Sequence, residues 1–132
     1  MQSTLKVIPL FSSTISCGFP SPADDYVEKD LSLDEHLIKY PESTFFVRAQ
    51  GDSMSPAILD GDLLIVDRSL TATSGKIILG ILDGEFVAKY FFYRDGRPIL
   101  KAANTKYKEI LIKEENNFQV WGVVTYIIHK VY

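Results

Sequence analysis

The sequence predicts a mostly β protein: a small rolled or barrel-like β domain preceded by an extended N-terminal arm. Short apolar segments alternate with Asp-Gly and Ser-Gly turns from Thr44 onward, a pattern typical of antiparallel strands. The residues before Thr44 are instead interrupted by serine, glycine and proline, and proline cannot donate to the inner ladder of a sheet. A length of 132 residues is enough for one substantial core. We therefore expect an arm over residues 1–44 and a β domain over residues 45–132.

Two local features are expected within the arm. Phe19–Pro22 should be extended, because proline fixes its own φ and restricts the residue before it. A short helix is expected over Ser32–Lys39, since Ser32 is followed three residues later by Glu35, which is the spacing of a capping box.

The β domain is expected to consist of short strands joined by tight turns. Asp83–Gly84 has the composition of a two-residue hairpin turn. The last apolar run is almost continuous, as in a strand that is covered on both faces. The expected strands are Phe45–Ala49, Asp62–Val66, Lys76–Leu82, Glu85–Tyr93, Ile99–Ala102 and Phe118–Tyr132.

The charge distribution argues against a nucleic-acid-binding surface. The formal net charge is −3, whereas neutralising phosphates requires clustered lysine and arginine. The densest basic stretch, Lys101–Lys113, also contains Glu109, so we interpret it as a solvated face. We expect no direct contact with nucleic acid.

The sequence also predicts a cytoplasmic protein. A single cysteine excludes an intrachain disulfide. Ile8–Phe11 is too short for the apolar core of a signal peptide. No stretch approaches the roughly 18 apolar residues that would cross a bilayer, so we expect no membrane contact.

Three segments could carry chemistry, although each has an ordinary structural explanation. Ser53 lies in Gly-Asp-Ser-Met-Ser-Pro, residues 51–56, where a turn could expose its hydroxyl; turn-capping is the commoner role of such a serine. Lys89 has apolar neighbours in a predicted strand, and is either an edge lysine or a buried amine with a lowered pKa that can act as a base. Cys17–Gly18 precedes an extended proline-containing stretch, which a protease cleft could accept, or it is a mobile loop.

Other catalytic and binding groups are not supported by the sequence. His36 and His129 have no aspartate at a triad-like spacing, so we interpret both as structural. One cysteine and two distant histidines do not suggest a metal site. The glycines are isolated, which excludes a phosphate-binding loop, and we expect no cofactor.

The combination of motifs resembles the UmuD-type members of the LexA/UmuD family of self-cleaving serine/lysine proteases. The matching segments, in order, are Cys-Gly-Phe-Pro-Ser-Pro-Ala (17–23), Gly-Asp-Ser-Met (51–54), Asp-Gly-Asp-Leu-Leu-Ile-Val-Asp (60–67), Asp-Gly-Glu-Phe-x-x-Lys (83–89) and Val-Trp-Gly-Val-Val (120–124). The resemblance covers essentially the whole chain. It implies a LexA/UmuD-type β domain, with residues 1–44 carrying the cleavage site and residues 45–132 forming the catalytic and dimerisation domain.

The resemblance also implies roles for particular residues and for partners. Ser53 matches the nucleophile, Lys89 the general base, and Cys17–Gly18 the scissile bond; the backbone N–H groups of Asp52 and Ser53 are the candidate oxyanion donors. It further implies a homodimer, stimulation of cleavage by the RecA filament on single-stranded DNA, and a role as accessory subunit of a UmuC-type translesion polymerase in the SOS response. The chain departs from the UmuD pattern in two respects. Only 16 residues precede Cys17, and Ser55–Leu59 is more similar to the serine loop of LexA or of type I signal peptidase than to that of UmuD.

Three alternative functions fit the sequence less well. A LexA-type repressor would need a helix-turn-helix before the scissile bond, and 16 residues are too few. A type I signal peptidase would need a membrane anchor. A Gly-Asp-Ser-Leu esterase would have an aspartate three residues before its histidine, where this chain has Tyr126. A binding module without turnover remains compatible with the sequence as the lasting role of the cleaved form.

Overall fold

The structure is a computed structural model that describes residues 8–11 and 27–132. The chain divides into two compact units, Met1–Lys39 and Tyr40–Tyr132. The expected scissile bond, Cys17–Gly18, and the expected extended segment Phe19–Pro22 lie outside the described residues.

The first unit contains a two-stranded antiparallel ribbon and a short helix. Strand β1 (Ile8–Phe11) pairs with β2 (Val27–Leu31), and helix α1 spans Leu33–Leu37. Ser32 is the N-cap residue, as expected, but its side chain makes no capping hydrogen bond, so the predicted capping box is wrong. Neither α1 nor any other helix in the described part of the chain is long and apolar enough to cross a membrane.

The second unit is a seven-stranded antiparallel sheet, which confirms the mostly β prediction. A 3-10 turn over Pro41–Ser43 precedes its first strand. The strands lie in the order β3-β4-β9-β5-β6-β7-β8, so β3 and β8 are its edges. Their bounds are β3 Thr44–Arg48, β4 Leu63–Asp67, β5 Ile77–Leu82, β6 Glu85–Arg94, β7 Arg97–Lys101, β8 Ile110–Leu111 and β9 Phe118–Ile128.

Strand β9 differs from its prediction in length and in exposure. It ends at Ile128 rather than Tyr132, and Tyr126 and Ile128 each keep 42% of their surface exposed. The strand is central because its backbone pairs with β4 on one edge and β5 on the other. Pairing on both edges does not require burial of both faces, and the expectation that β9 is covered on both faces is wrong near its end.

The hydrophobic core has two parts. Alternate residues of a strand point to opposite faces of its sheet, and the neighbours Ile78 and Leu79 of β5 belong to different buried clusters. The cluster around Leu79 includes Met54 and Ile58, which follow Ser53 in the β3–β4 loop. The loop that carries Ser53 is therefore anchored in the core by its own side chains.

The β5–β6 hairpin forms where the sequence predicts it. Asp83 and Gly84 both have positive φ, 49° and 86°, a conformation that aspartate tolerates and glycine adopts freely. This turn pairs Leu82 with Glu85 and, along the same register, Ile78 with Lys89. The turn therefore determines where Lys89 lies along the sheet.

Gly122 of β9 lies too close to its neighbours to carry a side chain. A Cβ built at this position would be 2.6 Å from Cγ1 of the buried Val66. We expect Gly122→Ala to lower the free energy of unfolding by about 1–3 kcal/mol, because an overpacked core must shift. Urea denaturation measures this loss of stability. The control is Gln119→Ala, at an exposed position of the same strand, and its free energy of unfolding should lie within about 0.5 kcal/mol of the parent's. Equal stability of Gly122→Ala and the parent chain would contradict the packing described.

Candidate active site

Ser53 lies in the loop between β3 and β4, and hydrogen bonds close that loop at its base. Ala49 donates its backbone N–H to Asp62 O at 2.8 Å, and the Gly61 N–H donates to Ala49 O at 2.9 Å. Nearer the serine, the Gly51 N–H donates to Oδ1 of Asp60 at 2.8 Å. These hydrogen bonds join the start of the loop to its end, and this restricts the position of Ser53.

Lys89 of β6 lies directly beside Ser53. Its Nζ is 2.7 Å from Oγ of Ser53, a hydrogen bond between partly buried side chains 36 positions apart in the chain. Burial lowers the pKa of Lys89 below the ordinary lysine value, because a charged ammonium loses hydration there. The structure therefore brings together the two side chains that the sequence analysis selected as nucleophile and base.

A cleft of about 450 Å³ contains both side chains. It extends between β3 and β6, with Arg48 and Gln50 as polar residues on the β3 side. Such a largely apolar, concave site limits the access of water to the amine of Lys89 and offers room for an extended peptide. Its apolar lining comprises Val47, Ala49, Met54, Ile58, Leu64, Leu79, Phe86, Val87 and Ala88.

The candidate oxyanion donors are backbone N–H groups of the serine turn. Within residues 27–132, neither the Asp52 N–H nor the Ser53 N–H donates a hydrogen bond. Among these residues both donors are unpaired, as a group that is to stabilise developing negative charge must be.

A segment that the sequence analysis interpreted only as a solvated face binds the serine turn. The Asn104 backbone N–H donates to Ser53 O at 3.0 Å, and its side-chain Nδ2 donates to Asp52 O at 3.1 Å. The hydroxyl of Tyr107 donates to Oδ1 of Asp52. No signal in the sequence pointed to these contacts, because Asn104 and Tyr107 occur in an ordinary polar stretch between strands.

His129 lies at the base of the β3–β4 loop and pairs with the buried carboxylate of Asp62. Its Nδ1 is 2.7 Å from Oδ1 of Asp62, which is only 3% exposed. The Leu59 N–H donates to the other oxygen of Asp62. The hydrogen bond from Leu59, and then that of His129, hold the pKa of Asp62 below its ordinary value despite its burial. This histidine therefore contacts the loop base, whereas the neighbour of Ser53 is Lys89.

Potential metal ligands do not cluster in residues 8–11 and 27–132: no group of three or more histidine, cysteine, aspartate and glutamate side chains has a suitable arrangement there.

Comparison with known proteins gives a consistent family. Residues 9–125 match the family model described as Peptidase S24-like. Protein MucA of Escherichia coli is 40% identical over 126 residues, covering 94% of this chain and 86% of MucA. Protein SamA of Salmonella typhimurium strain LT2 is 42% identical over 131 residues, covering 98% of this chain and 89% of SamA. A LexA repressor of Clostridium perfringens is 31% identical over 114 residues, which cover 86% of this chain and 56% of the repressor. The chain therefore belongs to the Peptidase S24-like family, as one of its UmuD-type members.

Proposed function

We propose that the chain is a self-cleaving serine protease of the SOS response, which cuts its own Cys17–Gly18 bond with Ser53 as nucleophile and Lys89 as general base. The observation that carries the proposal is the 2.7 Å hydrogen bond between Nζ of Lys89 and Oγ of Ser53. Membership of a peptidase family supports it independently.

The chemistry begins with a change in the protonation of Lys89. An ammonium can only donate to Ser53, so the base is the neutral amine, which accepts the hydroxyl proton. Burial in the cleft favours the neutral form, and the short distance gives a direct path for the proton.

Attack and release then follow at the scissile bond. Oγ of Ser53 attacks the carbonyl carbon of Cys17, and the backbone N–H groups of Asp52 and Ser53 donate hydrogen bonds to the resulting oxyanion. Collapse breaks the bond to the nitrogen of Gly18, which takes the proton from Lys89 and leaves as a new N-terminus. Water, deprotonated by Lys89, hydrolyses the ester between Ser53 and Cys17 and regenerates the hydroxyl.

The relatives support a cellular role that extends this proposal. Similarity over most of the chain to MucA and SamA supports a UmuD-type role in the SOS response. In that role the RecA filament on single-stranded DNA stimulates cleavage, and the shortened homodimer serves as the accessory subunit of a UmuC-type translesion polymerase in the cytoplasm. Residues 1–44 are then the arm that is cut, and residues 45–132 the domain that cuts and dimerises.

Replacing the nucleophile tests the cleavage itself. We expect Ser53→Ala to reduce self-cleavage by about 10⁴-fold or more, because the remaining groups cannot form the acyl-enzyme. Mass spectrometry of the incubated chain should find a fragment from Gly18 to Tyr132 in the parent and none in the variant. Ser74→Ala, the same change at an exposed position outside this loop, should cleave like the parent. A parent fragment that begins elsewhere would exclude Cys17–Gly18 as the scissile bond.

The pH dependence of the rate tests the base. The rate should rise about tenfold per pH unit while Lys89 is mostly charged, and should level off above its pKa. Because burial lowers that pKa, the inflection should fall below the ordinary lysine value of about 10.4. Circular dichroism of Ser53→Ala over the same range controls for unfolding. A rate independent of pH, or one still rising beyond the ordinary lysine value, would contradict the assignment.

The lowered pKa should also affect stability, independently of cleavage. Between the folded and the unfolded pKa of Lys89 the unfolded chain binds more protons, so this residue makes the free energy of unfolding rise with pH. In a Ser53→Ala background, we expect Lys89→Met to raise the urea midpoint at pH 7, and we expect this gain to shrink as the pH approaches 10.5. Lys113→Met, at an exposed position, should show no such trend. A gain for Lys89→Met that stays constant with pH would mean that no charge is buried at this position.

A further inference from the structure

Asn104 holds both peptide groups that flank the candidate nucleophile. Its backbone N–H donates to Ser53 O at 3.0 Å, and its Nδ2 donates to Asp52 O at 3.1 Å. One residue from the β7–β8 connection thus binds the two carbonyl oxygens on either side of the Ser53 Cα. Two hydrogen bonds from one residue to consecutive carbonyl groups hold the backbone more firmly than a single contact would.

These contacts determine where the Ser53 N–H points. In a trans peptide the C=O and N–H groups are antiparallel, so holding the Asp52 carbonyl toward Asn104 directs the Ser53 N–H away from it. A second donor, the Ser55 N–H, binds the same Asp52 oxygen at 3.1 Å. Two hydrogen bonds therefore fix the orientation of the Asp52–Ser53 peptide. The N–H of that peptide, which belongs to Ser53, donates no hydrogen bond in the described part of the chain.

Neighbouring groups orient the Asn104 side chain. The Lys106 N–H donates to Oδ1 of Asn104 at 3.0 Å, which leaves Nδ2 as the end that faces Asp52. The Tyr107 N–H donates to Asn104 O at 3.1 Å, and the Tyr107 hydroxyl donates to the Asp52 carboxylate. Asp52 is thus bound at its carbonyl by Asn104 and at its side chain by Tyr107.

We propose that Asn104 is a positioning residue for self-cleavage: its amide fixes the Asp52–Ser53 peptide so that the Ser53 N–H is aimed at the oxyanion, and Tyr107 supports the same turn. The inference rests on the proposed function, since it assigns a role in the reaction of Ser53. A donor that is aligned before the reaction needs no reorganisation when charge develops, which is the physical benefit of holding it.

The test compares self-cleavage of Asn104→Ala and Asn117→Ala across the pH range. Asn117 is the control, because its side chain is exposed and its hydrogen bonds with Asp83 are made by its backbone, which alanine keeps. We expect Asn104→Ala to lower the plateau rate at high pH by about 10- to 100-fold, as for a misaligned catalytic group, and Asn117→Ala to match the parent.

The inflection pH separates positioning from general loosening of the site. It reports the burial of Lys89, so a variant that only misaligns the Ser53 N–H should keep the parent's inflection. If the loss in Asn104→Ala came from water entering the cleft, the inflection would move up toward the ordinary lysine value, and this result would overturn the proposal. A plateau rate equal to that of the parent would also overturn it.

Tyr107→Phe provides a milder second variant that preserves packing. It removes only the hydroxyl bound to Asp52, and it should lower the plateau rate less than Asn104→Ala does. Its control is Tyr93→Phe, the same change at an exposed position. The hydrogen bond to Asp52, and then its charge, raise the pKa of Tyr107, so the phenol keeps its proton to a higher pH than an ordinary tyrosine does. If Asn104→Ala fails to fold, a parent-like plateau in Tyr107→Phe overturns the proposal.

The outcomes distinguish this inference from the proposed function. A parent chain that does not cut itself, or a Ser53→Ala chain that does, removes the proposed function and this inference with it. A parent that cleaves, a Ser53→Ala chain that does not, and an Asn104→Ala chain as fast as the parent would remove only the role of Asn104.

Discussion

The hydrogen bond between Lys89 and Ser53 is the contact on which the rest of the site depends. A lysine can serve as a base only if its ammonium is disfavoured, and burial beside an apolar cleft provides this. Two elements must meet for the contact to exist. The β5–β6 hairpin sets the register of Lys89, and the closed β3–β4 loop presents Ser53. A change in either register or loop would leave a buried amine without its partner.

The fold stabilises this contact through the residues that follow Ser53 in its loop. Met54 and Ile58 follow the serine and are almost fully buried, so the loop is anchored by side chains that also complete one core cluster. Asp62 closes the loop at its base through Leu59 and His129. Burying the Lys89 amine costs stability at neutral pH, and this hydrophobic and polar anchoring offsets it. Reactivity at Ser53 and rigidity of its loop are therefore two consequences of the same packing.

Local patterns in the sequence predicted most of the strands and failed where a local rule did not apply. The hairpin at Asp83–Gly84 formed as expected, because the conformational preferences of a two-residue turn are local. The capping box at Ser32 did not form, since the residue spacing permits that hydrogen bond without requiring it. The apolar run at the end of the chain suggested a strand buried on both faces, but Tyr126 and Ile128 remain exposed because centrality in a sheet concerns backbone pairing.

The sequence by itself determined the fold class, the family resemblance and the selection of Ser53 and Lys89. Turn chemistry and apolar periodicity act over a few residues, and the order of short motifs can be matched without coordinates. Only the tertiary structure decided what holds the serine turn. Asn104 and Tyr107 reach Asp52 across 52 and 55 positions of the chain, and His129 reaches Asp62 across 67. Contacts between residues so far apart depend on strand order and register, which no local pattern encodes.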